Sequence, residues 1–169
     1  MVLVRVATPD DWQAMREIRL AALREAPQAF ASTVEREEGF TEPEWRAWTQ
    51  VRGQGVMYLA EVAGLPEPAG MAGVMAGPDA ASLISMWVRP PARGQRAGEA
   101  LIGAALDWSR SRGFHRMDLW VTESNAPARR LYERCGFTMT GERQPLPSDP
   151  ALPEVRMSRP LRRTHYVVS

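Results

Sequence analysis

The spacing of apolar residues along the chain alternates between the two-residue period of strands and the longer period of helices. The opening run Val2–Ala7 alternates apolar and polar residues, which predicts a half-buried strand. Between positions 12 and 23 the apolar residues recur about every three positions, which predicts an amphipathic helix. Thr8 and Pro9 are typical of a helix start, and Pro27 follows the predicted end.

The rest of the pattern predicts six more strands and three more helices. Residues 28–40 show neither period and are predicted to be irregular, whereas a capping-box pattern at residues 41–44 predicts a second helix. The proline-rich residues Gln144–Pro153 are predicted to form a loop. The last two helices are predicted to end at Gly113 and Gly136. The further strands are predicted at Val56–Val62, Met71–Ala76, Ala81–Val88, Met117–Val121, Phe137–Glu142 and Val155–Leu161.

This order of elements, β-α-α-β-β-β-α-β-α-β-β, predicts one α/β domain over residues 1–169, with a mixed sheet flanked by helices. With 169 residues, of which 44% are hydrophobic, the chain is long enough for one sizeable core. A net charge of +1 gives no bias towards nucleic acid or a membrane surface. Because no apolar run reaches the roughly 20 residues of a membrane span and no signal-peptide pattern opens the chain, a cytoplasmic location is expected.

Several chemistries are excluded by residues that are rare or missing. Cys135 is the single cysteine, so no internal disulfide forms, and two histidines are too few for a Cys/His zinc cluster. We therefore expect no metal. All 21 basic residues are arginines, which excludes a lysine Schiff base and a lysine-dependent phosphate loop. GC-rich bacterial codon usage also produces such an absence of lysine.

A short glycine-containing turn, Arg93–Gly98 (RGQRAG), joins the predicted strand Ala81–Val88 to a helix. Backbone N–H groups at a helix N-terminus favour an anion, as does the helix dipole, and the arginines add positive charge. The turn therefore predicts a phosphate cradle. The alternative is an ordinary strand-to-helix turn with solvated arginines. A dinucleotide-binding fingerprint does not fit, since its G-x-G-x-x-G spacing is absent.

A second segment, Thr122–Phe137, contains two further candidate residues. Asn125 follows a predicted strand, where its side chain either caps the next helix or presents its amide to a ligand. Tyr132 lies two turns into that helix, where it is either a core residue or a phenol that donates a proton to a leaving thiolate. Cys135 falls on the apolar face of the same helix and is expected to be structural.

The two segments together resemble the GNAT superfamily of acetyl-CoA-dependent N-acetyltransferases. The family's pyrophosphate signature, Q/R-x-x-G-x-G/A, is matched at Arg93 and Gly98 but has Arg96 in place of the central glycine. An arginine is tolerated there at negative φ and is disfavoured by about 1 kcal/mol or more at positive φ. The second signature, N-x-x-A-x-x-L-Y-x-x-x-G-F, is matched in full by Asn125, Ala128, Leu131, Tyr132, Gly136 and Phe137.

The resemblance implies a fold and a mode of coenzyme binding. The implied fold is a mostly antiparallel mixed sheet of about seven strands with about four helices, in which one splayed pair of strands holds the pantetheine arm. Acetyl-CoA is then the co-substrate, with its pyrophosphate on the Arg93–Gly98 turn. The implied coenzyme contacts are Met86, Trp87, Val88, Arg93, Gly94, Gln95, Arg96, Ala97, Gly98, Glu99, Asn125 and Tyr132.

The resemblance also implies direct transfer of the acetyl group to an acceptor amine, with Tyr132 as the general acid. The base stays open, because this chain has Trp120 about where some family members carry a glutamate. The candidate bases are Glu123, Glu35 and Glu154, although each is otherwise read as a solvated surface acid. A water relay, or an acceptor amine of low pKa, would need no dedicated base.

The acceptor is predicted to bind beside acidic and aromatic residues between Phe30 and Trp48 and beside residues Gln144–Pro153. A solvated acidic turn with core tryptophans explains the same residues. The acceptor is a small-molecule amine or a peptide or protein amine, and neither nucleic acid nor a membrane is an expected partner. The alternative function is a non-catalytic acyl-CoA-binding sensor or partner module of the same fold. The resemblance to the family is compatible with a homodimer that forms through the last strands or the tail Thr164–Ser169.

Overall fold

A seven-stranded mixed sheet forms the centre of the fold. The computed structural model describes residues 1–66 and 68–161. In spatial order the strands are β1-β2-β3-β4-β5-β7-β6, and neighbours are antiparallel except for the parallel pair β4 and β5. The strands span Val2–Val6 (β1), Gly55–Val62 (β2), Gly70–Ala76 (β3), Ala81–Val88 (β4), Arg116–Thr122 (β5), Thr138–Leu146 (β6) and Asp149–Pro160 (β7).

Five helices cover the two sides of the sheet, and each side buries its own core. Ile102 and Phe137 belong to the cluster under α4 and α5, whereas Ile18 and Trp45 belong to the cluster under α1 and α3. The predicted mixed sheet with flanking helices is thus confirmed, with one helix more than expected. The helices span Trp12–Glu25 (α1), Val34–Glu38 (α2), Glu42–Trp48 (α3), Ala97–Ser111 (α4) and Ala126–Arg134 (α5).

Strands β4 and β5 stay paired over only two rows, which join Ala81 to Met117 and Ser82 to Asp118. Both strands continue for several residues beyond these rows, so the β4 edge that faces β5 has no strand partner there. The predicted splayed pair is therefore confirmed. Within the free part of β4, Ser85 adopts a φ of 54° and the register with β3 shifts beside it.

Residues 28–40 were predicted to be irregular, and this prediction is wrong because they contain α2. Thr33 caps this helix, since its hydroxyl oxygen accepts a hydrogen bond from the Arg36 N–H at 3.2 Å. A short 3-10 turn, Pro27–Ala29, precedes it. A five-residue helix is too short to show a helical period in its apolar residues, so the cap was the only available signal.

The predicted loop Gln144–Pro153 is also wrong, since most of it is a β-hairpin in which β6 and β7 come within two residues of each other. The prolines lie at positions where they do not break the sheet. The ladder between β5 and β7 ends at the Thr122–Glu154 pair. Pro150 and Pro153 lie beyond that pair, where β5 requires no N–H from β7.

A buried ion pair joins α1, α2 and β4. Glu37 is 3% exposed and accepts hydrogen bonds from Arg19 Nε at 2.8 Å and Arg19 Nη2 at 3.0 Å. The third nitrogen, Arg19 Nη1, donates to Ser85 Oγ at 3.2 Å. Burial alone would raise the pKa of Glu37, but the guanidinium outweighs burial and holds that pKa below its ordinary value. The pair thereby fixes α2 against the irregular part of β4.

We expect Glu37→Gln to lower the free energy of unfolding by about 3–5 kcal/mol at neutral pH, because Arg19 would keep a buried charge without its counter-ion. The folded-state pKa of Glu37 is depressed, so the pair stabilises the fold above the unfolded-state pKa of about 4.3. That stabilisation is lost as the pH falls through the folded-state pKa. Urea denaturation of both proteins across this range measures the difference. A difference that stays constant in acid would contradict the assignment.

Candidate active site

A cavity of about 920 Å³ opens where β4 and β5 separate. Its walls come from the end of β4, the start of α4, the first turns of α5 and the chain at the end of α1. No sequence motif indicates the last of these walls, which consists of Glu25, Ala26, Gln28 and Ala29. Every predicted coenzyme contact except Gln95 lines the cavity: Met86, Trp87, Val88, Arg93, Gly94, Arg96, Ala97, Gly98, Glu99, Asn125 and Tyr132.

The Arg93–Gly98 turn places the N-terminus of α4 at one end of this cavity. The first helical hydrogen bond runs from the Ala100 N–H to the Arg96 carbonyl at 3.1 Å, so the N–H groups before it have no partner within the helix. Gly98 permits the close approach of α4 to α5, because a Cβ there would lie 3.0 Å from Leu131 Cδ2. Free N–H groups and the helix dipole suit this end to a phosphate.

Arg96, which replaces the family glycine, adopts a left-handed conformation with φ 63° and ψ 20°. For a residue with a Cβ this conformation costs about 1–2 kcal/mol. The turn therefore keeps the backbone shape of its signature and carries a local strain. The exposed Arg96 side chain lines the cavity and brings a positive charge to its phosphate-binding end.

Arg93 is held in the cavity wall by two acceptors. Its Nη2 donates to Glu25 Oε2 and its Nε donates to the Val88 carbonyl, each at 3.0 Å. The indole of Trp87 donates to the same Glu25 oxygen at 2.8 Å. Partial burial alone would raise the pKa of Glu25, but these two donors hold it below its ordinary value. An ionised Glu25 thus ties the turn to the end of α1.

Tyr132 belongs both to the core and to the cavity wall. Its side chain is 7% exposed, and its ring packs edge-on against Phe137 with the ring centres 6.1 Å apart. Burial raises the pKa of Tyr132, so the phenol keeps its proton at neutral pH. The structure confirms the capping role of Asn125, and its contact with a ligand stays a prediction. Its Oδ1 caps α5 by accepting from the Ala128 N–H at 3.3 Å, and its NH₂ group is not used by that cap.

None of the three candidate bases, Glu123, Glu35 and Glu154, lines the cavity. Glu35 is exposed on α2, and Glu123 follows β5 and pairs with Arg143 at 2.6 Å. The Cys135 thiol also lies outside the lining. Burial raises the pKa of that thiol, so it is mostly protonated and a poor nucleophile at neutral pH.

Two hydroxyl groups hold the chain that follows α1 against the ends of β5 and the β6–β7 hairpin. Thr122 donates to the Gln28 carbonyl and Ser148 donates to the Phe30 carbonyl, each at 2.5 Å. We call residues 28–30 the strap. Gln28 and Thr122 both line the cavity, so this contact forms part of the cavity wall. Trp45, predicted near the acceptor, is instead a core residue at 1% exposure.

The model of the acetyltransferase (GNAT) family matches residues 12–137. Among curated proteins, a mycothiol acetyltransferase from Beutenbergia cavernae is 48% identical over 63 residues, which are 36% of this chain and 21% of that protein. The chain thus spans about a fifth of the length of that relative. Among solved structures, a GCN5-related N-acetyltransferase from Kribbella flavida has a TM-score of 0.74 at 27% identity and covers 95% of this chain and 98% of its own.

A ribosomal-protein alanine N-acetyltransferase from Escherichia coli has a TM-score of 0.70 at 23% identity, with 100% of this chain and 99% of its own covered. This likeness shows the fold. Because the family model covers well over half of the sequence, the chain belongs to the acetyltransferase (GNAT) family. The resemblance stated from the two motifs is therefore confirmed.

The described parts of the chain contain neither a membrane-spanning helix nor a metal-binding cluster of side chains. None of the helices there is long and apolar enough to cross a membrane. Residues 1–66 and 68–161 also bring together no group of three or more His, Cys, Asp or Glu side chains suited to a metal ion.

We expect Arg96→Gly to raise the free energy of unfolding by about 1 kcal/mol, because it removes the Cβ that disfavours positive φ. Arg96→Ala is the matched control, since it removes the same charge and keeps the Cβ, and it should show no such gain. Urea denaturation of the three proteins gives the values. Equal stability of the two variants would mean that any change in the free energy of unfolding comes from the charge of Arg96 rather than from its backbone conformation.

Proposed function

We propose that this protein is an N-acetyltransferase that moves the acetyl group of acetyl-CoA directly to an amine. One observation carries the proposal. The cavity between β4 and β5 has free helix N–H groups at one end, which suit a pyrophosphate, and the Tyr132 phenol in its wall, which suits a departing thiolate. Membership of the acetyltransferase family supports the same function.

The groups that line the cavity fit acetyl-CoA chemically. The N–H groups at the start of α4 and the guanidinium groups of Arg93 and Arg96 would hold the pyrophosphate. The pantetheine arm contains two amide groups, and the free edge of β4 at Met86–Val88 offers backbone groups that can pair with them. Arg93 would then be shared between the pyrophosphate and Glu25, with which it is paired here.

The proposed chemistry needs one proton donor near the sulfur atom. A neutral acceptor amine attacks the thioester carbonyl carbon, a C–N bond forms, and the C–S bond breaks with its electron pair on sulfur. Tyr132 donates its proton to that sulfur, and burial keeps the phenol in the acid form that this step needs. No covalent enzyme intermediate is involved, so Cys135 has no role in the reaction.

The base and the acceptor are less closely defined by these residues. Glu123 and Glu35 stay sequence predictions for the base, and their positions outside the cavity lining do not favour either. A water relay suits the proposal equally. The acceptor is proposed to be a small-molecule amine or a peptide or protein amine.

A cytoplasmic location and a homodimer also stay predictions. The tail Thr164–Ser169, which was expected to fray or to pack on a partner, lies outside the described residues. The last strands are within them, and β6 forms one edge of the sheet, where a second copy would have access.

We expect Tyr132→Phe to lower kcat by about 10²–10⁴-fold, because the variant cannot protonate the thiolate. Acetyl-CoA should still raise its melting temperature. Tyr58→Phe is the matched control, since Tyr58 is another buried tyrosine of the same core cluster that does not line the cavity. Mass spectrometry of acetylated product and free coenzyme A, with amino acids, polyamines, aminoglycosides, arylamines and short peptides as acceptors, measures turnover.

Two results would count against this function in different ways. Turnover that is equal in Tyr132→Phe and the unmodified protein would remove the acid role of the phenol. Binding of acetyl-CoA without product from any amine would instead favour the alternative, a module that binds acyl-CoA without catalysis.

A further inference from the structure

Three carboxylates in the described part of the chain are buried, and one of them has no cationic partner. Glu37 pairs with Arg19, and Asp118 pairs with Arg156. Glu154 is buried to a similar extent, at 6% exposure, but forms no ion pair within residues 1–66 and 68–161. An ionised carboxylate removed from water is costly unless a cation or several hydrogen bonds compensate it. A cationic group of a ligand would therefore be stabilised beside Glu154.

The protein groups around Glu154 do not supply this charge. Its Oε1 accepts a hydrogen bond from Gln144 Nε2 at 2.5 Å, and a neutral amide does not balance the carboxylate. Arg156 lies two residues further along β7, but its guanidinium is occupied by Asp118 and Glu142. The second oxygen of Glu154 is thus available to a ligand.

Glu154 lies next to the cavity across one strand pair. The register of β5 and β7 places it opposite Thr122, and paired residues project from the same face of a sheet at about 4.5–5.5 Å between Cβ atoms. Thr122 lines the cavity and holds the strap. Glu154 does not line the cavity itself. It lies on β7, which separates β6 from the point where the strap contacts β5.

The sheet face that carries Glu154 also carries one partly exposed aromatic residue. Trp120 lies two residues before Thr122 on β5, so it projects from the same face, and it is 38% exposed. The register of β5 and β7 makes Trp120 a diagonal neighbour of Glu154, at a separation of about 7–8 Å. A ligand that packs on Trp120 would therefore have Glu154 within its reach.

We propose that Glu154 binds the ammonium group of the acceptor and removes its proton, while Trp120 packs against the carbon atoms beside that group. This inference rests on the proposed N-acetyltransferase function and names its acceptor class, a primary amine that is protonated at neutral pH. A buried carboxylate favours such a cation over a neutral alcohol of the same shape because only the cation balances its charge. The indole face adds attraction for the same charge.

The atoms and charges of this reaction balance. Glu154 removes one proton from the ammonium group, and the freed lone pair forms the C–N bond with the acetyl carbonyl carbon. The C–S bond breaks, its electron pair goes to sulfur, and Tyr132 protonates that sulfur. The nitrogen loses a second proton, which returns through water to the Tyr132 phenolate, and Glu154 releases its proton to solvent. The products are the acetamide, the coenzyme A thiol and one proton.

Calorimetric titration of the coenzyme A-saturated protein tests recognition of the acceptor. The probes are 1-aminobutane, alaninamide and glucosamine, each beside the analogue in which a hydroxyl replaces the amine. Glu154→Gln keeps the shape of the side chain and removes its charge, so an amine that binds the unmodified protein should bind this variant at least 10-fold more weakly. Glu133→Gln is the matched control, because it removes an exposed carboxylate from α5 that does not line the cavity, and it should keep the affinity. The hydroxyl analogues should bind all three proteins alike.

Turnover tests the proton transfer separately. For an alkylamine, Glu154→Gln should lower kcat by about 10²-fold or more, whereas an arylamine, which is already neutral at pH 7, should lose far less. Melting temperatures with and without coenzyme A show whether each variant is folded and binds the donor. An alkylamine kcat that is unchanged in Glu154→Gln would overturn the base role.

The outcomes of the binding experiment separate this inference from the proposed function. Amine affinity that is equal in Glu154→Gln and the unmodified protein would overturn the inference. So would a protein that binds coenzyme A but none of the amines, although the donor half of the proposed function would then stand. A protein that binds neither coenzyme A nor acetyl-CoA would overturn both proposals.

Discussion

After two paired rows, β4 and β5 separate, and every other feature of the site depends on this separation. Because the ladder ends early, β4 keeps β3 on one side and has a free edge on the other. Free backbone N–H and C=O groups in a folded protein require water or a ligand as partners. The left-handed Ser85 and the buried Arg19–Glu37 pair beside it hold the free part of β4 in place. A binding surface for an extended, amide-containing ligand is thus built into the backbone.

We propose that the charges in and beside the cavity separate a donor end from an acceptor side. Arginines and helix N–H groups gather at the start of α4, where a pyrophosphate would lie. On the other side of the strap, Glu154 is a buried carboxylate with an amide partner only. Tyr132 lines the same cavity as a neutral phenol. This separation of opposite charges is what a reaction between an anionic coenzyme and a cationic amine requires, since each substrate is attracted to its own end.

The features that could be predicted from sequence are those determined by residues close together in the chain. The RGQRAG turn and the Asn125 cap depend on local backbone geometry, so their motifs located two walls of the cavity. The conformation of Arg96 could not be predicted, because an arginine can adopt either sign of φ, each at a different conformational free energy. The strap depends on a contact between residues 94 positions apart, and no local pattern indicates it.

The burial of Glu154 shows the same limit. Its position at the start of a predicted strand indicated a surface acid, but its neighbours are set by the register of three strands. The neighbouring part of the hairpin, Gln144–Pro153, was predicted to be a loop, because four prolines dominate its sequence. Only the tertiary pairing reveals that two of those prolines lie where no ladder hydrogen bond is needed.

We propose that the free edge of β4 and the turn after it form one binding surface for coenzyme A. Amide hydrogen exchange, measured by mass spectrometry with and without coenzyme A, locates that surface. Peptides covering residues 83–98 should gain the largest protection, and peptides from β1 and β2 on the far side of the sheet should not change. Binding of coenzyme A that leaves residues 83–98 unprotected would overturn this assignment, because the ligand would then lie elsewhere.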